Sequence, residues 1–75
     1  MVPRESLVTA SSPVRERRKQ LRVTQAELAE QVGVSRQTII SVERGDYAPS
    51  VYLAIRIARA LDRSVEELFT PEGEA

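Results

Sequence analysis

The stretch TQAELAEQVGVSRQTIISVER, at residues 24–44, contains two short helical segments separated by one tight turn. Thr24 suits the cap of the first segment, and Glu27 three residues later completes the pattern of a capping box. Leu28, Ala29 and Val32 recur at helical spacing, so they fall on one apolar face. The pattern predicts a helix that begins after Thr24 and buries this face.

A turn and a second helix follow directly. Gly33 stands where the end of a helix favours a residue that tolerates positive φ, and Val34 can fill the corner. Ser35 suits the cap of the second helix, whose inward positions are Ile39 and Val42. Two helices that cross after so short a turn are typical of a helix-turn-helix, in which the second helix enters the DNA major groove.

The second helix, predicted at residues 36–44, carries a mixed polar stripe opposite its inward positions. The polar stripe consists of Arg36, Gln37, Ile40, Ser41 and Arg44. Because arginine can donate two hydrogen bonds to guanine and glutamine can pair with adenine, Arg36 and Gln37 are candidates for base contact. Arg36 could instead bind a phosphate. Ile40 either packs on a thymine methyl group or is a partly buried edge residue.

Three segments extend this pattern over residues 14–69. They are VRERRKQLRVTQAELAEQVGVSRQTI, VERGDYAPS and LAIRIARALDRSVEELF. In this order and spacing they resemble the Cro/C1-type (XRE-like) helix-turn-helix regulators. The resemblance implies an all-α fold, a compact lambda-repressor-like bundle of five short helices. It also implies binding to double-stranded DNA, usually as a homodimer on two half-sites, and most often a role in transcription regulation.

The same resemblance suggests roles for individual residues. The base contacts of the family fall on Arg36, Gln37 and Ser41, and Ile40 lies among them. A phosphate contact falls on Gln25, directly after the Thr24 cap, where free N–H groups and the positive end of the helix dipole suit an anion. The alternative for Gln25 is an exposed residue of the first turn.

Residues at both ends of the recognition helix are further candidates for phosphate contact. They are Ser35, Thr38, Arg44 and Tyr47. Capping alone explains Ser35, Thr38 could serve packing, and Tyr47 could pack on the bundle. The resemblance also implies a partly buried ion pair between Arg18 of the first helix and Glu43 near the end of the recognition helix.

Flanking segments complete the predicted organisation. Residues 1–13 lack periodicity and are expected to form a flexible arm. A first helix is expected at about residues 14–21, with Val14 and Leu21 facing inward and Val23 buried after it.

Two more helices are expected beyond the recognition helix. Ser50 suits the cap of a helix at about residues 51–61, and Ser64 with Glu67 forms a second capping-box pattern for a short last helix. Residues 70–75 read as a polar, acidic tail.

Composition excludes several classes of protein. The chain has 75 residues, no cysteine and no histidine, which indicates one domain without disulfides or thiolate metal sites. No group of side chains suits catalysis, so we expect no enzyme, no cofactor, no metal and no small-molecule ligand. Because no apolar run reaches the length of a membrane span, we expect a cytoplasmic protein without a membrane partner.

The net charge is zero, but the charges are segregated along the chain. Basic residues dominate residues 15–22, and acidic residues dominate from Asp62 onward. This asymmetry would orient the domain on DNA with the acidic end pointing away. For Arg15 and Lys19, a solvated helix face is the alternative.

An apolar ridge is predicted outside the inward positions of the fourth helix. Val51, Tyr52 and Ile55, together with Phe69, form a candidate dimer surface, with core-edge packing as the alternative. The sequence thus predicts a sequence-specific, homodimeric transcriptional regulator, in particular a repressor. The alternative is an antitoxin or adaptor module that acts mainly through protein contacts, which the polar stripe disfavours.

Overall fold

The computed structural model describes residues 12–69, which form five α-helices. In chain order these are α1 Pro13–Gln20, α2 Gln25–Val32, α3 Arg36–Arg44, α4 Val51–Leu61 and α5 Val65–Phe69. The predicted all-α bundle of five short helices is therefore confirmed. Residues 1–11 of the predicted arm and the predicted tail at residues 70–75 lie outside the described residues. Within residues 12–69, no helix is both long enough and apolar enough to cross a membrane.

A serine or threonine precedes each helix. The five caps are Ser12, Thr24, Ser35, Ser50 and Ser64. Each cap side chain accepts a hydrogen bond from the backbone N–H three residues later, at 3.0 to 3.2 Å. Glu27 and Glu67 in turn accept from the N–H groups of Thr24 and Ser64, each at 2.8 Å, which completes two capping boxes. These bonds satisfy N–H groups that the first turn leaves unpaired, so the caps fix where the helices begin.

One residue in the left-handed conformation follows each of the first four helices. Gly33 and Gly45, after α2 and α3, have φ of 78° and 81°. Asp62 directly follows α4 and Arg22 is the second residue after α1, with φ of 57° and 59°, although neither is glycine. In all four cases, backbone N–H groups just after the helix bond back to carbonyl groups of its last turn.

The connection after α1 differs from the prediction. Because α1 ends at Gln20, Leu21 lies in the turn with 39% of its surface exposed, and the prediction that it faces inward is wrong. The left-handed conformation of Arg22 reverses the chain, and the N–H of Val23 donates to the carbonyl of Arg18 at 3.1 Å. Val23 packs against the core from this position but is only partly buried.

The core is aliphatic and receives side chains from all five helices. Its buried members are Val14, Leu28, Ala29, Val32, Ile39, Val42, Leu53, Ile57, Ala58, Leu61 and Leu68. Phe69 packs against this cluster and remains partly exposed. Among the described residues, two charged side chains are also buried, those of Arg18 and Glu43. The core thus holds α3 by one face and leaves the opposite face at the surface.

Candidate nucleic-acid interface

The polar stripe of α3 lies on the surface of the domain. Its exposed members are Arg36, Gln37 and Arg44, and its half-buried members are Ile40 and Ser41. On the opposite face, Ile39 is fully buried and Val42 nearly so. Because the inward face anchors the helix in the core, the polar stripe is held in one orientation toward solvent. The side chain of Gln37 forms no hydrogen bond with any residue in the range 12–69, so its amide is available to a ligand.

A buried ion pair fixes α3 against α1. The guanidinium of Arg18 donates to both carboxylate oxygens of Glu43, from Nε to Oε2 at 2.6 Å and from Nη2 to Oε1 at 3.2 Å. Its third nitrogen, Nη1, donates to the carbonyl of Val23 at 2.8 Å. The side chains are 11% and 3% exposed, so both charges are largely removed from water. A pair that is bidentate and buried restricts the position of the helix more than an exposed pair does.

Gln25 connects this ion pair to the polar stripe. Its Nε2 donates to Oε1 of Glu43 at 3.2 Å, and its Oε1 accepts from Nη2 of Arg36 at 3.2 Å. A chain of hydrogen bonds therefore runs from Arg18 through Glu43 and Gln25 to Arg36. The sequence predicts a phosphate contact for Gln25, and in the structure its side chain also orients a candidate base-contacting arginine.

The other phosphate candidates border the recognition helix. Ser35 is the cap of α3, and its Oγ also lies 3.0 Å from the hydroxyl of the half-buried Thr38. Arg44 is exposed and pairs with Asp46, with Nε and Oδ2 at 3.4 Å. Tyr47 follows in the loop with 46% of its surface exposed. No pattern in the sequence predicted this pair, although the carboxylate of Asp46 stands only two residues from Arg44.

A groove between α1 and the start of α2 is lined by cations. Its volume is about 610 Å³, and we call it the cationic groove. Its lining residues are Arg15, Arg18, Lys19, Arg22, Val23, Thr24, Gln25, Ala26 and Arg36. Arg36 belongs to both the cationic groove and the polar stripe, so the two surfaces are continuous.

The predicted dimer surface lies on α4 and α5. Val51 and Tyr52 are 71% and 79% exposed, Ile55 is 36% exposed, and Phe69 is half-buried. We call these four residues the apolar face. Three of them, Val51, Ile55 and Phe69, line a groove of about 590 Å³ that extends to the loop after α3. Phe69 also packs on the core, so core-edge packing accounts for this residue in part.

Comparison with known proteins identifies the family of this chain. A helix-turn-helix family model matches residues 14–68. The chain is 61% identical over 57 residues to an uncharacterized HTH-type transcriptional regulator of Methanothermobacter thermautotrophicus, covering 75% of this chain and 83% of that protein. It is 43% identical over 61 residues to the uncharacterized HTH-type transcriptional regulator YgzD of Bacillus subtilis, covering 81% of this chain and 92% of YgzD.

A solved structure shares the fold. The restriction-modification controller protein C.AhdI from Aeromonas hydrophila superposes with a TM-score of 0.71 at 35% sequence identity, covering 76% of this chain and 86% of that chain. These similarities indicate a DNA-binding regulator rather than an enzyme. Since the family model matches residues 14–68, well over half of the chain, the chain belongs to the Cro/C1-type (XRE-like) family of helix-turn-helix transcriptional regulators.

Proposed function

We propose that this domain recognises a specific sequence in double-stranded DNA and acts as a transcriptional repressor. The observation that carries the proposal is the polar stripe, which is exposed on a helix that the core and a buried ion pair hold in place. A helix anchored on one face and polar on the other fits the major groove of B-DNA. Where the bound sequence overlaps a promoter, the bound domain would exclude the polymerase and repress without a further contact.

The base contacts are assigned by side-chain chemistry. Arg36 presents two parallel donors to the O6 and N7 acceptors of guanine, while Gln37 presents a donor and an acceptor to the N6 and N7 edge of adenine. Ser41 lies one turn further along α3, and the half-buried Ile40 offers an apolar group to a thymine methyl. Each well-formed contact of the bidentate kind discriminates against the wrong base by about 1–3 kcal/mol.

Contacts to the DNA backbone would position these side chains. The proposed phosphate ligands are Gln25, Ser35, Thr38, Arg44 and Tyr47. Gln25 and Ser35 stand at the starts of α2 and α3, where backbone N–H groups and the helix dipole favour an anion. Arg44 is 66% exposed at the other end of α3, so a phosphate can replace its weak partner Asp46.

We further propose that two copies associate through the apolar face. One module of this kind buries only roughly 600–1,000 Å² on DNA, which gives weak specific binding. A two-fold symmetric dimer that separates its recognition helices by about 34 Å, one turn of DNA, would engage two half-sites at once. The exposed Val51 and Tyr52 support this assignment, because large apolar side chains in solvent favour a protein partner.

Selection of bound fragments from random duplex DNA tests the base contacts. We expect a two-fold symmetric consensus, and Gln37→Ala should weaken binding to that consensus and relax preference at one base position in each half-site. Arg44→Ala is the matched control, because loss of a phosphate ligand should weaken binding to all sequences by a similar factor. A Gln37→Ala variant that loses affinity equally on every sequence contradicts the assignment of base contact.

A protein-interaction module, such as an antitoxin or adaptor, is the second candidate function. The apolar face favours it, since the same exposed side chains could bind a different protein. The selection experiment separates the two functions. Enrichment of no duplex sequence by the intact protein would support the interaction module and overturn the proposal of DNA recognition.

A further inference from the structure

The cationic groove has no carboxylate among its lining residues. Arg15, Lys19, Arg22 and Arg36 place four positive charges around about 610 Å³. Arg18 also lines the groove, but its charge is already compensated by Glu43. A concentration of like charges is unfavourable unless an anion enters it, and it is unexpected in a chain whose net charge is zero.

Arg22 is the member of this cluster with an unusual backbone. Its φ of 59° lies in the left-handed region, which strains a residue with a β-carbon and which glycine adopts freely. The turn itself requires this conformation, because the N–H groups of Arg22 and Val23 bond back to the carbonyls of Lys19 and Arg18, at 3.0 and 3.1 Å. Glycine would therefore serve the turn better than arginine does.

The side chain of Arg22 does nothing inside the domain that offsets this strain. It is exposed, and it forms no hydrogen bond or ion pair with any residue in the described range. A strained residue whose side chain has no internal partner, in a groove lined by further cations, indicates an external ligand. That ligand is an anion, because each charged group of the groove that remains uncompensated is positive.

We propose that Arg22 binds a phosphate of the DNA backbone, and that Arg15 and Lys19 line the path of the same strand. This inference rests on the proposed function. Arg36 lies on the wall of the cationic groove and also begins the polar stripe, so a duplex placed against α3 passes the mouth of the groove. The footprint then extends beyond the base pairs that α3 contacts. Arg22 supplies affinity and positioning, without preference for a base.

Two effects of opposite sign distinguish this role from a structural one. Arg22→Gly removes both the strain and the cation, so the melting temperature should rise while affinity for duplex DNA falls on the order of tenfold. The decrease should be equal for specific and unrelated sequences. The slope of log affinity against log salt should lose about one, as expected for one phosphate contact to B-DNA.

Two matched variants serve as controls. Asp62→Gly relieves the same left-handed conformation after α4, where φ is 57°, so its melting temperature should rise without loss of DNA affinity. Arg22→Gln and Arg59→Gln each remove one cation, and Arg59 is an exposed residue of α4 that does not line the cationic groove. Arg22→Gln should lower the salt slope, and Arg59→Gln should leave it unchanged, whereas Arg22→Lys should restore most of the affinity.

The outcomes separate this inference from the proposed function. Enrichment of no duplex by the intact protein overturns the proposed function and this inference with it. If the protein binds its selected duplex and Arg22→Gln keeps the salt slope of the unmodified protein, Arg22 contacts no phosphate and only this inference fails. An equal loss of slope in Arg22→Gln and Arg59→Gln also overturns it, because the effect would then reflect net charge.

Discussion

The two candidate functional surfaces of this domain differ in how they are held and in what they expose. The polar stripe stands on a helix whose inward face is buried and whose end is tied to α1 by the Arg18–Glu43 pair, with Nε and Oε2 at 2.6 Å. The apolar face lies largely on α4, whose inward residues are buried as well, but among the described residues no buried ion pair supports it. Its side chains Val51 and Tyr52 are 71% and 79% exposed. One surface therefore has a fixed geometry before any ligand arrives, while the other leaves apolar area in water.

This difference indicates what each surface can recognise. Base edges require donors and acceptors in set positions, so a surface that contacts them gains from a rigid support. Association through apolar side chains depends on area removed from water and tolerates adjustment of side chains. The chain from Arg18 through Glu43 and Gln25 to Arg36 supplies rigidity to the polar stripe alone.

The largest effect is expected from removal of the anchor under the polar stripe. Glu43→Ala leaves the guanidinium of Arg18 buried without its carboxylate, since the Arg18 side chain is only 11% exposed. We expect the free energy of unfolding to fall by about 3 kcal/mol. Urea denaturation at neutral pH measures this loss, and an unchanged midpoint would show that the pair does not anchor α3.

A double variant shows whether the loss comes from the unpaired charge. Arg18→Met combined with Glu43→Leu removes both charges together and keeps similar volumes. Replacement of a buried pair by apolar residues is often close to neutral, so this variant should recover most of the stability lost in Glu43→Ala. Equal destabilisation in both variants would mean that shape at this site, and not charge, determines the stability.

Most of the fold follows from helix caps and aliphatic spacing that are visible in the sequence. Serine or threonine precedes all five helices, and the aliphatic residues repeat at helical spacing between these caps. Gly33 and Gly45 mark two of the four left-handed positions. Arg22 and Asp62 mark the other two. Aspartate tolerates this conformation better than most residues with a β-carbon, but arginine does not, so no propensity indicates it at Arg22, where the backbone bonds of the turn impose it.

The candidate site was predictable in part. The polar stripe follows from periodicity, because the buried Ile39 and Val42 define which side of α3 faces away. The bonds of Gln25 could not be predicted in this way, since its partners Glu43 and Arg36 lie 18 and 11 residues away in sequence. The burial predicted for Leu21 was wrong because of the turn that follows it. Apolar character predicts burial, but the turn at Arg22 directs Val23 toward the core in its place.

A smaller effect, on association, is expected from a charge on the apolar face. Ile55→Glu places a carboxylate in the proposed dimer contact, where its burial would be costly, so we expect self-association to weaken by about tenfold or more. The melting temperature of the monomer should change little, because Ile55 is already 36% exposed. Sedimentation velocity over a range of concentrations measures the equilibrium.

Arg56→Glu provides the control on the same helix. Arg56 is exposed and does not line the apolar groove, so this change should leave self-association intact. A protein that remains monomeric at every concentration before any substitution contradicts the proposed dimer. In that case the apolar face would be assigned to a different partner.

The smallest effect is expected from the charge of one surface carboxylate, Glu67, at the start of α5. The N–H of Ser64 donates to Oε1 of Glu67 at 2.8 Å, and this backbone bond is the main reason that the pKa of Glu67 lies below the ordinary value for glutamate. A carboxylate with a lowered pKa stabilises the fold above its unfolded pKa, and that contribution is lost as pH falls through the folded value.

Glu67→Gln keeps a capping side chain but removes the charge. The unmodified protein should therefore have a slightly higher melting temperature than Glu67→Gln at neutral pH, and the difference should shrink in acid. The difference in amide exchange between the two proteins should be found in α5, which carries Phe69, and not in α3. Parallel pH profiles for the two proteins would mean that the charge of Glu67 contributes nothing to the cap.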